Sequence, residues 1–239
     1  AFVHPNPMDQ SCWIYQMARF STWFRCVAIA IPGYGRSPAG TAEMSRFDMA
    51  QALWETLDEI CPGEPAVLVG CSVGSSLVPH MYKLRPEQTK AMIVCGTGYR
   101  GPDEVSPHIQ FYKDNGLSYR WDFTFKDFSA GFGATPMASY FARLFTERDA
   151  FADLPTILTQ LAASRPAEEF FRTIDCPMII LSGSEDGAHP GAFKLQKLVP
   201  RCEMKTLHGA GHACQLEQPW LFDQYMIEFL KKHELFPGK

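Results

Sequence analysis

Residues 66–75 read AVLVGCSVGS, an apolar run followed directly by the pattern G-x-S-x-G. The apolar run predicts a buried strand, and the residues from Ser75 onward predict a helix. At such a strand-to-helix turn a serine adopts a strained backbone conformation that lifts its hydroxyl above the sheet, and the flanking glycines remove side chains that would collide. The stretch therefore nominates Ser72 as a nucleophile. Because G-x-S-x-G is a short pattern, the hypothesis also requires a base, an acid and oxyanion donors elsewhere in the chain.

The rest of the chain alternates between short apolar runs and segments with helical spacing. The first predicted strand ends at Val3. The others occupy residues 26–31, 66–69, 91–95, 178–181 and 203–207. The predicted helices occupy residues 13–20, 45–60 and 219–232, with one more after the turn at Ser72. Short apolar strands separated by helices are typical of a mostly parallel sheet that is covered on both faces. We therefore predict an α/β fold in which ligands bind beyond the carboxyl ends of the strands.

The alternation fails in residues 98–172, a segment rich in aromatic side chains. This segment is too long for a plain loop in a compact domain, so we predict a helical cap over the site. The predicted division is an α/β core of residues 1–97 and 173–239 with a cap of residues 98–172. Four aromatic residues are predicted to line an apolar substrate pocket: Trp121, Phe125, Phe128 and Phe132. The alternative is that the aromatic residues pack the insert onto the sheet, and both interpretations can hold for different residues.

The composition favours one catalytic domain that acts on a small molecule. A chain of 239 residues with 46% hydrophobic side chains can bury a large core. The net charge of -4, without a run of lysine and arginine, argues against nucleic acid and anionic membranes as partners and favours a largely uncharged substrate. No apolar stretch reaches the roughly 18 residues that cross a bilayer. The quaternary state is left open, with a homodimer as one possibility.

Neither the cysteines nor the histidines follow a pattern typical of a metal site. The eight cysteines are scattered without CxxC pairs, which favours reduced thiols in a cytoplasmic protein. The histidines have no ligand spacing such as HExxH. We therefore expect no metal ion and no cofactor.

A carboxylate and an imidazole follow two later predicted strands. Residues 181–186 read LSGSED, and residues 208–212 read HGAGH. A serine hydroxyl is too weak an acid to attack an acyl carbon unaided, so an imidazole must accept its proton while a carboxylate fixes the imidazole tautomer. The order Ser, Asp, His is the one expected for a nucleophile on an elbow within an α/β sheet.

Each of these two loops offers two candidates. Asp186 is favoured over its neighbour Glu185 because the shorter side chain suits a close, fixed bond to an imidazole nitrogen. His212 is favoured over His208 because the preceding Ala-Gly leaves room for a tight approach to the elbow. His208 directly follows the predicted strand and can simply cap it.

These motifs together resemble the α/β-hydrolase superfamily over nearly the whole chain. Besides the elbow, the resemblance rests on PGYGRS at residues 32–37, GSED at 183–186, AGH at 210–212 and LEQP at 216–219. It implies that Ser72 is the nucleophile, His212 the general base and then acid, and Asp186 the orienting carboxylate. Members of the family usually begin with a β-hairpin that has no counterpart in this sequence, so we expect that hairpin to be missing.

The resemblance also implies an oxyanion hole built from the backbone N–H groups of Asn6 and Val73. Residues 4–7 read HPNP, where many members of the family have a His-Gly pair. Prolines on both sides of Asn6 can hold its amide rigid, which suits a donor that must be aimed before charge develops; a purely structural loop is the alternative. The HPNP loop is also similar to that of haloalkane dehalogenases. Those enzymes use an aspartate nucleophile, so Ser72 argues for acyl transfer instead.

We therefore expect a cofactor-free serine hydrolase that cleaves an ester or related acyl bond of a small apolar or aromatic substrate through an acyl-enzyme. Two alternatives on the same triad are hydrolysis of a carbon–carbon bond in a ring-cleavage product and a perhydrolase activity. The first would need cations for a substrate carboxylate, and the candidates are expected to be solvated: Arg100, Lys113, Arg120 and Arg143. An alternative of another class is a ligand receptor without turnover, because a fold does not fix a function.

Overall fold

Strands and helices alternate along most of the chain, for which the computed structural model describes residues 1–39, 43–102, 104, 114, 127–147, 154–163 and 165–237. Within these residues the strands are Phe2–Val3 (β1), Ala28–Ile29 (β2), Ala66–Cys71 (β3), Thr89–Cys95 (β4), Met178–Gly183 (β5) and Cys202–Leu207 (β6). The α-helices are Ile14–Phe20 (α1), Arg46–Ile60 (α2), Val73–Leu84 (α3), Ala130–Gly133 (α4), Pro136–Glu147 (α5), Leu154–Ala162 (α6), Glu168–Arg172 (α7), His189–Leu198 (α8), Cys214–Glu217 (α9) and Pro219–Lys232 (α10). A 3-10 helix, Gln10–Trp13, precedes α1.

The strands of the described chain form one parallel sheet in the order β2-β1-β3-β4-β5-β6. The strand order reverses at β1, which pairs with β2 on one side and with β3 on the other. In open α/β sheets, ligands bind at the carboxyl ends of the strands beside such a reversal. Because Ser72 directly follows β3, it lies at this edge of the sheet.

Both faces of the sheet are buried, and successive side chains of a strand point to opposite faces. Leu68 and Val94 belong to a core cluster with residues of α2, α3 and α8. Val69 and Ile93 belong to a second cluster with residues of α1, α5 and α10. A strand covered on both faces is apolar at every position, which explains the uninterrupted apolar runs in the sequence.

The described elements confirm the predicted α/β fold, with one strand shorter than predicted. Helix α10 has the predicted bounds, and α2 begins after Ser45, whose hydroxyl accepts the Asp48 N–H while the Asp48 carboxylate accepts the Ser45 N–H. The strand predicted over residues 26–31 is only Ala28–Ile29, because β1 offers two residues for pairing.

The break in the alternation also lies where the sequence predicts it. Between β4 and β5 the described residues form helices α4 to α7 and no strand. The division into core and cap stays a prediction. In the described parts of the chain no helix is long and apolar enough to span a bilayer, and all eight cysteines are free thiols.

We predict that Gly74→Ala destabilises the fold. A Cβ atom at Gly74 would lie 2.2 Å from the carbonyl oxygen of Val3, so α3 and β1 would have to move apart. Overpacking of this kind costs about 1–3 kcal/mol, which urea denaturation would measure as a lower free energy of unfolding.

Gly131→Ala is the matched control, since no heavy atom lies within 4 Å of a Cβ atom at that helical glycine. Alanine is favoured over glycine in a helix by roughly 1 kcal/mol, so this variant should be as stable as the wild type or more so. Equal stability of Gly74→Ala and the wild type would contradict the packing of α3 on β1.

Candidate active site

Ser72 occupies the tight turn between β3, which ends at Cys71, and α3, which begins at Val73. Its backbone has φ 52° and ψ -113°, and a positive φ is uncommon for a residue other than glycine. The Ser72 N–H donates to the carbonyl oxygen of Cys95 over 2.9 Å, which anchors the turn to β4. The backbone strain expected for this turn is therefore present.

Close backbone packing explains the glycines on either side of Ser72. A Cβ atom at Gly70 would lie 2.7 Å from the carbonyl carbon of Gly74, inside the turn itself. A Cβ atom at Gly74 would collide with the carbonyl oxygen of Val3 in the neighbouring strand. Both positions therefore exclude any side chain, which is the role that the sequence pattern predicts for them.

Asp186 and His212 form a hydrogen-bonded pair beyond the carboxyl ends of β5 and β6. His212 Nδ1 lies 2.9 Å from Asp186 Oδ1, which also accepts the Ala188 N–H over 2.8 Å. The Asp186 side chain is 3% exposed and the His212 side chain 19%. A proton on Nδ1 donates to the carboxylate, so this bond fixes the tautomer and leaves Nε2 as a proton acceptor.

The pair shifts the pKa values of both its members. Burial alone would raise the pKa of Asp186, but its interactions with His212 and the Ala188 N–H lower it. Burial alone would lower the pKa of His212, but the carboxylates of Asp186 and Asp127 raise it well above 6.5. The imidazolium form of His212 is therefore stabilised, which makes this side chain a strong base.

Two glycines allow the loops that carry this pair to meet. A Cβ atom at Gly183, the last residue of β5, would lie 2.2 Å from the carbonyl oxygen of Gly211. A Cβ atom at Gly96, which follows β4 with φ 56°, would lie 3.2 Å from His212 Nε2. The His212 ring therefore lies over the backbone of Gly96, with its free nitrogen on that side.

One cavity of about 370 Å³ brings the three predicted catalytic residues together, because Ser72, Asp186 and His212 all line it. Among the described residues, the Ser72 hydroxyl and His212 form no direct hydrogen bond. Catalytic hydrogen bonds are often loose before substrate binds and tighten in the complex. The arrangement places a serine hydroxyl and a base of fixed tautomer in one space that can hold a small molecule.

The two competing candidates lie close by but are used differently. Glu185 also lines the cavity, and its Oε2 accepts the Ala130 N–H over 3.2 Å at the start of α4. His208 is exposed, and its carbonyl oxygen accepts a hydrogen bond from the Gln218 side chain. Neither side chain takes part in the bond between Asp186 and His212.

Asn6 lies in a buried loop beside α3 and is 2% exposed. The Gly74 N–H donates to the His4 carbonyl oxygen over 3.2 Å, which holds this loop against the first turn of the helix. His4 Nδ1 donates to the Pro5 carbonyl oxygen, and His4 Nε2 accepts the Ile31 N–H. Burial lowers the pKa of His4 to about 4, so its ring is neutral and serves as a fixed brace.

The two predicted oxyanion donors differ in where they lie. Val73 lines the cavity and is the first residue of α3, whose first N–H groups have no partner within the helix. Asn6 is not among the described residues that line the cavity. Its Oδ1 lies 3.0 Å from the Tyr34 hydroxyl, which is also 3.1 Å from Gln160 Oε1 in α6. A buried tyrosine therefore joins the Asn6 loop to the inserted segment.

The predicted aromatic pocket requires a correction for two of its residues. The rings of Phe128 and Phe132 lie with their centroids 5.0 Å apart. Phe128 belongs to the core cluster of α1, α5 and α10, and the half-buried Phe132 packs against that cluster. Neither lines the described part of the cavity, because the Phe128 ring is buried in this core and the Phe132 ring packs on its edge. Trp121 and Phe125 lie outside the described residues. For Phe128 and Phe132 the packing interpretation holds.

Asp127 is a cavity residue that the sequence analysis missed. It is 5% exposed, and within the described ranges its Oδ2 has no hydrogen-bond partner. Burial raises the pKa of Asp127 to about 7, although the charge of His212 opposes the shift. No sequence motif marks Asp127. In the structure its neighbour Phe128 points into the core, while Asp127 faces the cavity.

Cationic side chains also line the cavity, which corrects the expected apolar lining. The described lining includes three arginines, namely Arg46, Arg100 and Arg165. Arg100 was expected to be solvated, and the other two carry no sequence signal beyond their charge. Lys113 and Arg120 lie outside the described residues, and Arg143 is exposed.

Comparison with known proteins shows what the whole chain is similar to. A family model described as the alpha/beta hydrolase family matches residues 1–221. Carboxylesterase YbfK of Bacillus subtilis is 24% identical over 253 residues, which cover 95% of this chain and 78% of that protein. The (E)-2-((N-methylformamido)methylene)succinate hydrolase of Acinetobacter baylyi is 23% identical over 197 residues, or 77% of this chain and 71% of that protein. The structure of a malate-bound thermophilic esterase from Thermogutta terrifontis has a TM-score of 0.81 and 20% identity, covering 97% of this chain and 89% of that one.

We predict that the Asp127 carboxyl makes stability fall as the pH rises. The pKa is 3.8 for an ordinary aspartate and about 7 for Asp127 in the fold, so between these values the unfolded chain loses a proton that the folded chain keeps. The folded state is therefore penalised progressively from about pH 4 to 7, by up to roughly 4 kcal/mol.

Urea denaturation at pH 5 and pH 8 would measure this effect. The stability of Asp127→Asn relative to the wild type should increase between the two pH values, because the variant has no carboxyl group to ionise. Asp175→Asn, which changes an exposed aspartate, should show no such increase. A constant difference between Asp127→Asn and the wild type would refute the assignment.

Proposed function

This chain belongs to the α/β-hydrolase family, and on that premise we propose that it is a serine hydrolase that cleaves an ester or a related acyl bond of a small molecule. The observation that carries the proposal is the strained Ser72 in one cavity with the hydrogen-bonded pair of Asp186 and His212. In this proposal Ser72 is the nucleophile, His212 the base and Asp186 its orienting carboxylate.

In the first half-reaction the Ser72 hydroxyl adds to the acyl carbon. His212 Nε2 accepts the hydroxyl proton as the bond between Ser72 Oγ and carbon forms, and Asp186 stabilises the resulting imidazolium. The tetrahedral intermediate then collapses: the bond to the leaving group breaks, and His212 returns the proton to it. The products of this step are the free alcohol and an acyl-enzyme on Ser72.

In the second half-reaction water releases the acid. His212 takes a proton from water as the water oxygen adds to the acyl carbon, and the second intermediate collapses with Ser72 Oγ as the leaving group. The proton on His212 returns to Ser72, so the enzyme is restored and one water molecule is consumed per bond cleaved.

The negative charge on the acyl oxygen needs donors that are in place before the reaction. We assign this role to the backbone N–H groups of Val73 and Asn6. The position of Val73 at the start of α3, beside the nucleophile and on the cavity wall, supports the first donor. The contact of the His4 carbonyl oxygen with the Gly74 N–H supports the second, since it holds the loop of residues 4–7 against the same helix turn.

We also assign the inserted segment, residues 98–172, as a cap. Asp127 and Gln160 from this segment line the cavity together with Ser72, and Ala130 in α4 is bonded to Glu185 of the loop that carries Asp186. The two similar proteins are named as a carboxylesterase and as a hydrolase of a succinate derivative, which supports hydrolysis as the reaction class.

Ser72→Ala tests the nucleophile. It should lower kcat/KM for p-nitrophenyl acetate by roughly 10³-fold or more and abolish labelling by a fluorophosphonate probe, with the circular dichroism spectrum unchanged. Ser21→Ala, which removes an exposed hydroxyl just after α1, should retain both activities. Full turnover by Ser72→Ala would assign the reaction to another group, and a wild type with neither turnover nor labelling would favour a receptor.

The pH dependence of kcat/KM tests the base. Only the neutral imidazole accepts the serine proton, and the carboxylates of Asp186 and Asp127 raise the pKa of His212. We therefore expect the acid limb of the kcat/KM profile to lie above pH 6.5. Asp127→Asn removes one of the two carboxylates and should move this limb to lower pH, whereas Asp175→Asn should leave it in place. A limb that stays in place in Asp127→Asn would contradict the coupling.

A further inference from the structure

Three arginine residues line the cavity that contains Ser72. They are Arg46 at the start of α2, Arg100 after β4 and Arg165 after α6. Each is half-buried, so none is a freely solvated surface charge. Three separate parts of the chain therefore bring positive charge to one space.

Arg46 is held close to the proposed nucleophile. Its Nη1 donates to the carbonyl oxygen of Ala163 over 2.6 Å, and its Nε donates to Ser76 Oγ over 3.4 Å. The Ser76 N–H in turn donates to the carbonyl oxygen of Ser72. Ser76 lies about one helical turn after Ser72, so Arg46 contacts α3 about one turn from the proposed nucleophile.

Burial and mutual repulsion disfavour the charged forms of two of the three arginines, Arg46 and Arg165. Burial and then the charge of Arg165 lower the pKa of Arg46 to about 10. Burial and the charge of Arg100 lower the pKa of Arg165, and the carboxylate of Glu104 offsets part of that effect. Arg46 also occupies the first position of α2, where the positive end of the helix dipole disfavours a cation.

Acidic side chains, by contrast, lie around His212. Asp127, Glu185 and Asp186 line the cavity beside His212. A negative group of a bound molecule is repelled by the carboxylates of Glu185 and Asp186, and by that of Asp127 above its pKa of about 7. The same group is attracted by the three arginines. The cavity can therefore orient an asymmetric, charged substrate with its neutral acyl bond at Ser72.

We infer that Arg46, Arg100 and Arg165 form a subsite for an anionic group of the substrate. The substrate is then an ester or related acyl compound that carries a carboxylate or phosphate about one helical turn from the bond that is cleaved. Arginine suits this task because its planar guanidinium can form paired hydrogen bonds with either anion. The inference rests on the proposed hydrolase function and names the substrate class of the same site.

Matched pairs of substrates test the subsite without any mutation. Monomethyl glutarate and the methyl ester of glutaramic acid have nearly the same shape, but only the first carries a charge. 4-Acetoxybutanoate and 4-acetoxybutanamide place the same difference on the alcohol side, and 2-acetoxyethyl phosphate tests a phosphate. For at least one of these comparisons we expect the anionic substrate to have a kcat/KM about 10- to 100-fold higher than its neutral counterpart at low salt. The neutral counterpart of 2-acetoxyethyl phosphate is 4-acetoxybutanamide. The ratio of anionic to neutral kcat/KM should fall as NaCl is added.

Single substitutions then assign the preference to the cluster. Arg165→Gln and Arg100→Gln should each lower the ratio of anionic to neutral kcat/KM by about tenfold. Arg201→Gln is the matched control because Arg201 is exposed and bonds only the backbone of Asp175 in the described chain. It should leave the ratio at the wild-type value. Circular dichroism would verify that each variant is folded. If a variant does not fold, the ratio of anionic to neutral kcat/KM of the wild type remains the test of the subsite.

The outcomes separate this inference from the proposed function. Hydrolysis of neutral esters that depends on Ser72, with a ratio of one or below for every anionic substrate, would overturn the subsite and keep the hydrolase. A wild-type preference that neither arginine substitution changes would also overturn the assignment to this cluster. No turnover of any ester and no labelling of Ser72 would instead overturn the proposed function.

Discussion

A Cβ atom at Gly74 would lie 2.2 Å from the carbonyl oxygen of Val3, so the start of α3 lies directly on the backbone of β1. The Gly74 N–H also donates to the His4 carbonyl oxygen, which joins the loop after β1 to the same helix turn. Ser72 keeps its positive φ inside this packed turn. Ser72, the start of α3 and the loop of Asn6 are therefore positioned as one unit, and the rest of the candidate site lies around that unit.

The cavity separates its charges by sign, and each group has a distinct task in the proposed function. The carboxylates around His212 strengthen the base, because Asp186 and Asp127 raise the pKa of the imidazole. The arginine cluster lies along α3 from Ser72 and offers a place for an anion. Burial disfavours the charged forms of Asp127 and Arg46, one from each group. Perturbed pKa values of this kind are typical of functional sites.

The sequence was sufficient to predict the sheet, the tight turn at Ser72 and the loops that carry Asp186 and His212, because these depend on local patterns. An apolar run indicates a strand that is buried on both faces. The pattern G-x-S-x-G indicates a turn with no space for a Cβ atom, which the structure shows at Gly70 and Gly74. The cavity lining was not predictable, because tertiary packing decides where each side chain points. Phe128 packs into the core while its neighbour Asp127 lines the cavity, and Arg46 lines it from the first turn of an otherwise ordinary helix.

In the proposed mechanism, acyl transfer passes through a covalent intermediate on Ser72. The most direct measurement is rapid acid quenching of the wild type during turnover of a p-nitrophenyl ester, followed by mass spectrometry of the peptide that contains residues 71–72. We expect a mass increase that corresponds to acylation, located on Ser72, together with a burst of about one p-nitrophenolate per enzyme. Turnover with no acylated peptide, or with the acyl group on Cys71, would contradict this mechanism.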